Sequence, residues 1–260
     1  MTLDEVFSVG VRFALIASRS SGFVVVSPFP STYAPTQTRL ALVLLLSWVV
    51  TAAMPTGLPV PEFGLGLIGP TFTELATGLA LGFVFRLGLA ASDLLGASIA
   101  QAMGLSFASV FDPTLAESRD PLSKIVSLAA MLLMLGSGAY RTVLAYVLES
   151  FRLLPPGAAP SPAVAMPLIL AWMTRSVDAG IRLALPVIAI TLALQITLAL
   201  IARAAPSLQV FNVGIALTIA SGFAILGTGW EPLLDGLHAH FTDVNQVLDG
   251  LITQLATAPP

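Results

Sequence analysis

Cysteine is absent from this 260-residue chain, which excludes disulfides, thiolate metal sites and cysteine nucleophiles together. Charge is scarce as well. Charged residues make up 10% of the sequence, against roughly 25% in soluble domains, too few to coat a water-facing surface. The 11 Lys+Arg against 14 Asp+Glu leave a net charge of -3, so no basic footprint for nucleic acid exists. The sequence has no HExxH, no GxSxG, no Gly-rich phosphate loop and no paired acidic motif. No enzymatic activity, cofactor or metal is therefore expected. No basic n-region precedes the first apolar stretch, because Asp4 and Glu5 come before Arg12. The N-terminus is expected to be retained in the first helix rather than removed as a signal.

What the chain has is apolar surface: 56% hydrophobic residues and a mean hydropathy of +0.92. That composition excludes disorder and points to a membrane-associated protein. Period-two alternation is missing, so the expected fold class is all-α. Apolar runs separated by proline-rich joints predict helices over 5–27, 38–54, 70–103, 122–150, 167–203 and 208–255. A bilayer core of ~30 Å needs about 20 apolar residues. At ~1.5 Å per residue, the runs 70–103 and 167–203 each reach about 50 Å. Such helices are too long for a plain six-span bundle, even allowing for tilt.

Small residues are spaced for close helix packing. Gly88, Ser92, Gly96, Ala100 and Gly104 recur every four residues, as do Gly78 and Gly82, and Ala216, Ala220 and Ala224. Such faces let backbones approach closely, either within this chain or against neighbouring subunits. Near the C-terminus, Leu234, Leu237, Phe241, Val244, Leu248, Leu251 and Leu255 form an a/d seam that requires a helical partner. That segment carries no Lys or Arg, which argues against a surface helix bound to lipid.

The remaining polar residues read as structural. His238 and His240 point about 200° apart on a helix and cannot chelate one metal, so both read as solvated. Arg175, Asp178 and Arg182 sit at helical spacing and suit a local ion-pair ladder. A small-molecule secondary transporter would use the same cluster as a charged relay. Transporters commonly show internal repeats, and no convincing one is found here. Glu149 and Arg152 also read as a local pair, while Glu74, Arg86 and Arg141 read as paired across helices.

The most unusual stretch is Gln101-Ala-Met-Gly-Leu-Ser-Phe-Ala-Ser-Val-Phe-Asp-Pro113. Irregular backbone at membrane depth requires burial in protein or a cavity to line. Taken alone, the stretch fits a re-entrant pore loop or a helix–helix corner.

That stretch, together with ESFRLLPPG at 149–157 and LIARAAPSLQVFNVG at 200–214, resembles the FliR family of the flagellar type III export gate. The three motifs occur in the family's order, and the resemblance covers nearly the whole chain. Injectisome homologues carry a Gly-Asp-bearing segment at the first motif, which favours the flagellar branch. The resemblance implies a FliP-like helical region over 1–165 and a FliQ-like helical hairpin with an amphipathic C-terminal helix over 166–260. It implies a channel-forming core subunit in the bacterial inner membrane, at the flagellar basal body, that conducts unfolded flagellar proteins. The implied partners are FliP-like and FliQ-like subunits, FlhB, FlhA, the exported substrates and membrane lipid.

Carried onto this sequence, the family's pore-plugging loop maps near 104–113. Met103, Gly104, Leu105, Ser106, Phe107, Val110 and Phe111 form the expected plug, since a hydrophobic constriction can block ions by dewetting. Gly88, Ser92, Gly96 and Ala100 and the seven seam residues are the expected subunit-packing positions.

Overall fold

The computed structural model describes residues 3–28, 34–54, 64–105, 121–157, 162–204 and 210–257. Seven α-helices occupy them: α1 (Leu3–Val26), α2 (Thr36–Ala53), α3 (Ile68–Ala102), α4 (Pro121–Gly136), α5 (Ala139–Leu153), α6 (Met166–Ala204) and α7 (Val210–Thr257). No strand occurs among the described residues, so the all-α expectation holds.

Proline sets most of the boundaries. Its fixed φ suits a first turn, and its missing N–H costs nothing there. Pro35 accordingly stands just before α2, Pro121 opens α4, and Pro70 and Pro167 lie in the first turns of α3 and α6. Pro186 and Pro232 fall inside α6 and α7.

One predicted helix is corrected. The run 122–150 is not continuous: it breaks into α4 and α5 with a 65° bend. Gly138, at the break, adopts a φ of 73°, a left-handed conformation open to glycine at no steric cost. Hydropathy continues across Gly136-Ser137-Gly138, so the apolar pattern alone conceals the corner.

The helices group into two compact units, each assembled from separate stretches of chain. The first comprises Met1–Gly88, Gly138–Thr174 and Thr242–Pro260. Within it α1 packs along α2 and crosses α3 at backbone contact. A Cβ on Gly78 would fall on the Arg19 carbonyl, and one on Gly82 would stand 2.7 Å from the Phe23 carbonyl oxygen. Reciprocally, a Cβ on Gly22 would meet the Leu75 carbonyl. Leu15, Ile16, Phe23, Leu81, Phe151 and Trp172 fill the core beside this crossing. The Trp172 indole N–H donates to the Val84 carbonyl at 3.0 Å, giving a buried polar group its partner.

The second unit comprises Leu89–Ser137 and Arg175–Phe241. Here α3 is flanked by α4 through Gly96, where a Cβ would stand 2.8 Å from the Ser123 Cα. It is flanked by α6 through Gly180, where a Cβ would stand 2.7 Å from the Ala91 carbonyl oxygen. The Ser127 hydroxyl donates to Asp93 across the α3–α4 contact.

Burial is uneven among the apolar helices. The most apolar stretch of α3 is 61% buried, whereas those of α2 and α6 are 17% buried and that of α7 is 22% buried. The last three therefore bury one narrow stripe and expose Leu, Ile and Val on their remaining faces.

The α1–α3 crossing generates a paired test. Gly78→Ala is expected to destabilise by about 1–3 kcal/mol, the usual cost of overpacking. Gly10→Ala, whose Cβ meets nothing within 4 Å, should instead stabilise by about 0.8–1 kcal/mol through helix propensity. Thermal unfolding of both variants in detergent, beside the wild type, measures the difference.

Candidate functional site

The first unit is organised around a buried ion pair. Arg19 of α1 and Glu74 of α3 meet at 2.6 Å, and both side chains are 0% exposed. Each nitrogen of the guanidinium is used. Nε donates to Glu74 Oε2, Nη1 donates to the Ser150 carbonyl at 2.9 Å, and Nη2 donates to the Leu154 carbonyl at 3.0 Å. The Ser150 hydroxyl oxygen also accepts from Nη1 at 3.3 Å. The second Glu74 oxygen accepts from the Gly157 N–H at 2.8 Å. Phe151 closes one face, its ring centroid 4.3 Å from the guanidinium carbon.

Local sequence dictates this arrangement. Leu154 precedes Pro155, which disfavours helical φ/ψ and ends α5, so its carbonyl is free to accept. Gly157 turns at a φ of 92°, which aims its N–H at Glu74. The ESFRLLPPG segment thus divides by face. Ser150, Phe151 and Leu154 are buried on the clamp, while Glu149 and Arg152 pair at 3.3 Å on the outside. Glu74 is paired across helices as expected, and Arg19 is its missed partner. The signal for Arg19 is Arg12, seven residues earlier on the same face of an apolar helix and also buried. Arg141 departs from expectation: its Nε donates to the neighbouring Tyr140 hydroxyl at 3.2 Å, and Arg86 is exposed.

The second unit holds the start of the expected plug. Met103 is fully buried, Gly104 turns the chain at a φ of 77°, and Leu105 is half-buried. Ser106, Phe107, Val110 and Phe111 lie outside the described residues. The Gln195 amide of α6 donates to the Ala102 carbonyl at 3.1 Å. Met103 lies over Gly222 of α7, where a Cβ would stand 2.7 Å from the Met103 sulfur.

The expected packing positions are buried within the chain. Gly88, Ser92, Gly96 and Ala100 are covered, Gly88 by Val244 and Gly96 by α4. In the seam, Leu237, Phe241, Val244, Leu248, Leu251 and Leu255 are buried and Leu234 is half-buried. Ala216, Ala220 and Ala224 are not buried; all three are exposed. His238 is exposed, but His240 is buried, which corrects its reading as solvated.

Of the expected Arg175–Asp178–Arg182 ladder, Asp178 and Arg182 pair at 2.7 Å, with 54% and 73% of their side chains exposed, and Arg175 is exposed. Arg182 borders a cleft of about 310 Å³ whose remaining lining, including Pro186, Val187, Ile225, Gly229 and Pro232, is apolar. A substrate site needs convergent polar groups, and this cleft offers one cation already held by its own helix. Among the described residues no cluster of three His, Asp or Glu side chains could hold a metal ion.

The arrangement is one of positioning throughout, with every polar group of the clamp already satisfied. Comparison with known proteins agrees in kind. Residues 11–244 match the family described as bacterial export proteins, family 1. The chain belongs to that family. It is 28% identical over 222 residues to the flagellar biosynthetic protein FliR of Escherichia coli K12, covering 85% of this chain and 84% of that protein. Identity to the flagellar biosynthetic protein FliR of Aquifex aeolicus is 28% over 254 residues, covering 96% and 98%. The surface presentation of antigens protein SpaR of Salmonella typhimurium is 25% identical over 219 residues, covering 82% and 81%. As a family member the chain is a component of a bacterial export apparatus. The matched span contains the Arg19–Glu74 clamp, the turn after α3 and the Gln195 and Gly222 contacts.

Removing one partner of the clamp leaves a buried charge uncompensated. Arg19→Ala is expected to cost about 3–5 kcal/mol, and the apolar double variant Arg19→Met/Glu74→Leu less than either single change. Arg19→Lys should not rescue, because one ammonium cannot span the Glu74, Ser150 and Leu154 acceptors. Unfolding midpoints of Arg19→Ala, Arg19→Lys, Arg19→Met, Glu74→Leu and the double variant in detergent would check this order.

Proposed function

We propose that this chain is a channel-forming core subunit of the flagellar type III export gate in the bacterial inner membrane, conducting unfolded flagellar proteins. One observation carries the reading furthest. Helix α6 has 39 residues, about 58 Å at ~1.5 Å per residue, and it exposes large apolar side chains all the way from Met166 to Ile201. A bilayer core of ~30 Å covers only about half of such a length. The excess apolar surface requires protein neighbours, as in a subunit of a helical ring.

In this reading residues 1–165 form a FliP-like part and residues 166–260 a FliQ-like hairpin. The neighbours are FliP-like and FliQ-like subunits, with FlhB and FlhA in the same apparatus. Subunit contacts fall on the exposed apolar faces of α2, α6 and α7, while the Gly88–Ala100 stripe and the Leu234–Leu255 seam pack chiefly within the chain. Residues 104–113 form the plug, with Met103 adjacent and Phe107, Val110 and Phe111 as the sealing side chains. The protein acts by shape and sealing rather than by catalysis. Similarity to flagellar FliR proteins supports the flagellar branch.

Co-expression with the neighbouring FliP-like and FliQ-like proteins, followed by native mass spectrometry, tests the assembly. A defined hetero-oligomer containing one copy of this chain is expected. A stable monomer or homodimer that ignores those partners would overturn the reading. Deletion of 106–111 in the assembled complex should raise ion leakage, and unchanged leakage would remove the plug role.

A further inference from the structure

The turn that ends α3 is held from two directions by contacts that ordinary helix packing does not require. The last four carbonyls of a helix lack intrahelical partners. Ala102 carries one of them, and it accepts from the Gln195 side chain of α6. Gln195 is the only amide side chain in α6; it is exposed, and its bond to Ala102 ties the surface of α6 to the end of α3.

The second contact comes from α7. Met103 is fully buried, and its Cγ, Sδ and Cε all lie within 2.7 Å of where a Cβ on Gly222 would stand. Gly222 is therefore a notch that admits one flexible side chain and nothing else. Between them the two helices fix Ala102 and Met103. Gly104 then reverses the chain in a left-handed conformation, its N–H bonded to the Gln101 carbonyl at 3.0 Å. All of these residues belong to the same compact unit.

We infer that Gln195 and Gly222 are positioning residues: with Met103 they fix the end of α3, so that α6 and α7 hold the turn at Gly104 and Leu105 in place. The consequence for ion leakage rests on the plug reading above, but the anchoring itself does not.

Since the sequence has no cysteine, a single Leu105→Cys reports on the turn by its rate of maleimide labelling in the assembled complex. Gln195→Leu keeps the side-chain bulk, suits an apolar helix and removes the donor. It is expected to raise the labelling rate several-fold. Gly222→Val should do the same by displacing Met103, and Met103→Ala in the Gly222→Val background should return the rate toward wild type. That compensation separates a displaced anchor from a general loss of folding. Wild-type labelling rates in both single variants would overturn the inference, as would a Gly222→Val defect that Met103→Ala leaves unchanged. Ion leakage is measured on the same samples. Faster labelling without leakage upholds the anchor and removes the plug role. Leakage on deleting 106–111, with labelling unchanged in the anchor variants, upholds the plug and overturns the anchor.

Discussion

The first unit depends on a charge that cannot be left alone. A guanidinium at 0% exposure carries a desolvation penalty of several kcal/mol, and only matched geometry offsets it. Arg19 meets that demand by drawing three elements to one point: α1 supplies the cation, α3 the carboxylate, and the end of α5 two carbonyls and a ring. Glycine makes the meeting possible. Because Gly78 and Gly82 let α3 touch the α1 backbone, Glu74 comes within 2.6 Å of Arg19. The small residues and the ion pair are thus two parts of one device.

A different constraint governs α2, α6 and α7. Helix α2, α6 along its length and α7 over 213–223 expose large apolar side chains, whereas α7 from Leu233 onward buries its apolar seam and turns polar residues outward. Exposed patches of that size are rare on monomeric soluble proteins and mark interaction with membrane or protein. The ion pair at Asp178 and Arg182 fits this setting, since it neutralises two charges on the helix that presents the broadest apolar face.

Most of the helical layout was legible in the sequence, because proline joints and apolar runs are local signals. The ends of α1, α3, α6 and α7 fall within a few residues of those expected from Pro28, Pro70, Pro206 and the C-terminal seam. The α4–α5 corner was not legible, since a left-handed Gly138 leaves no trace in hydropathy. Spacing identified small residues but not their neighbours. Gly88 and Gly96 pack inside the chain, while Ala216, Ala220 and Ala224 face outward and Gly222, two residues from that series, is the notch that matters. Arg19 was overlooked because Glu74 is 55 residues away and its two carbonyl acceptors 131 and 135 residues away, separations that no local residue pattern encodes. Resemblance located the ESFRLLPPG segment, and the structure supplies its physical content: Ser150, Phe151 and Leu154 serve the Arg19 cation, and Gly157 serves its Glu74 partner.

The clamp also orders the birth of the protein. Arg19 and Glu74 are separated by 55 residues, but the Ser150 and Leu154 acceptors lie 131 and 135 residues beyond Arg19. Synthesis proceeds from the N-terminus at about 5–20 residues per second, so about 4–16 seconds elapse between the appearance of Glu74 and that of Leu154. An Arg19–Glu74 pair made in that interval would lack the acceptors of two guanidinium nitrogens, and water or another polar group would have to serve them until α5 arrives.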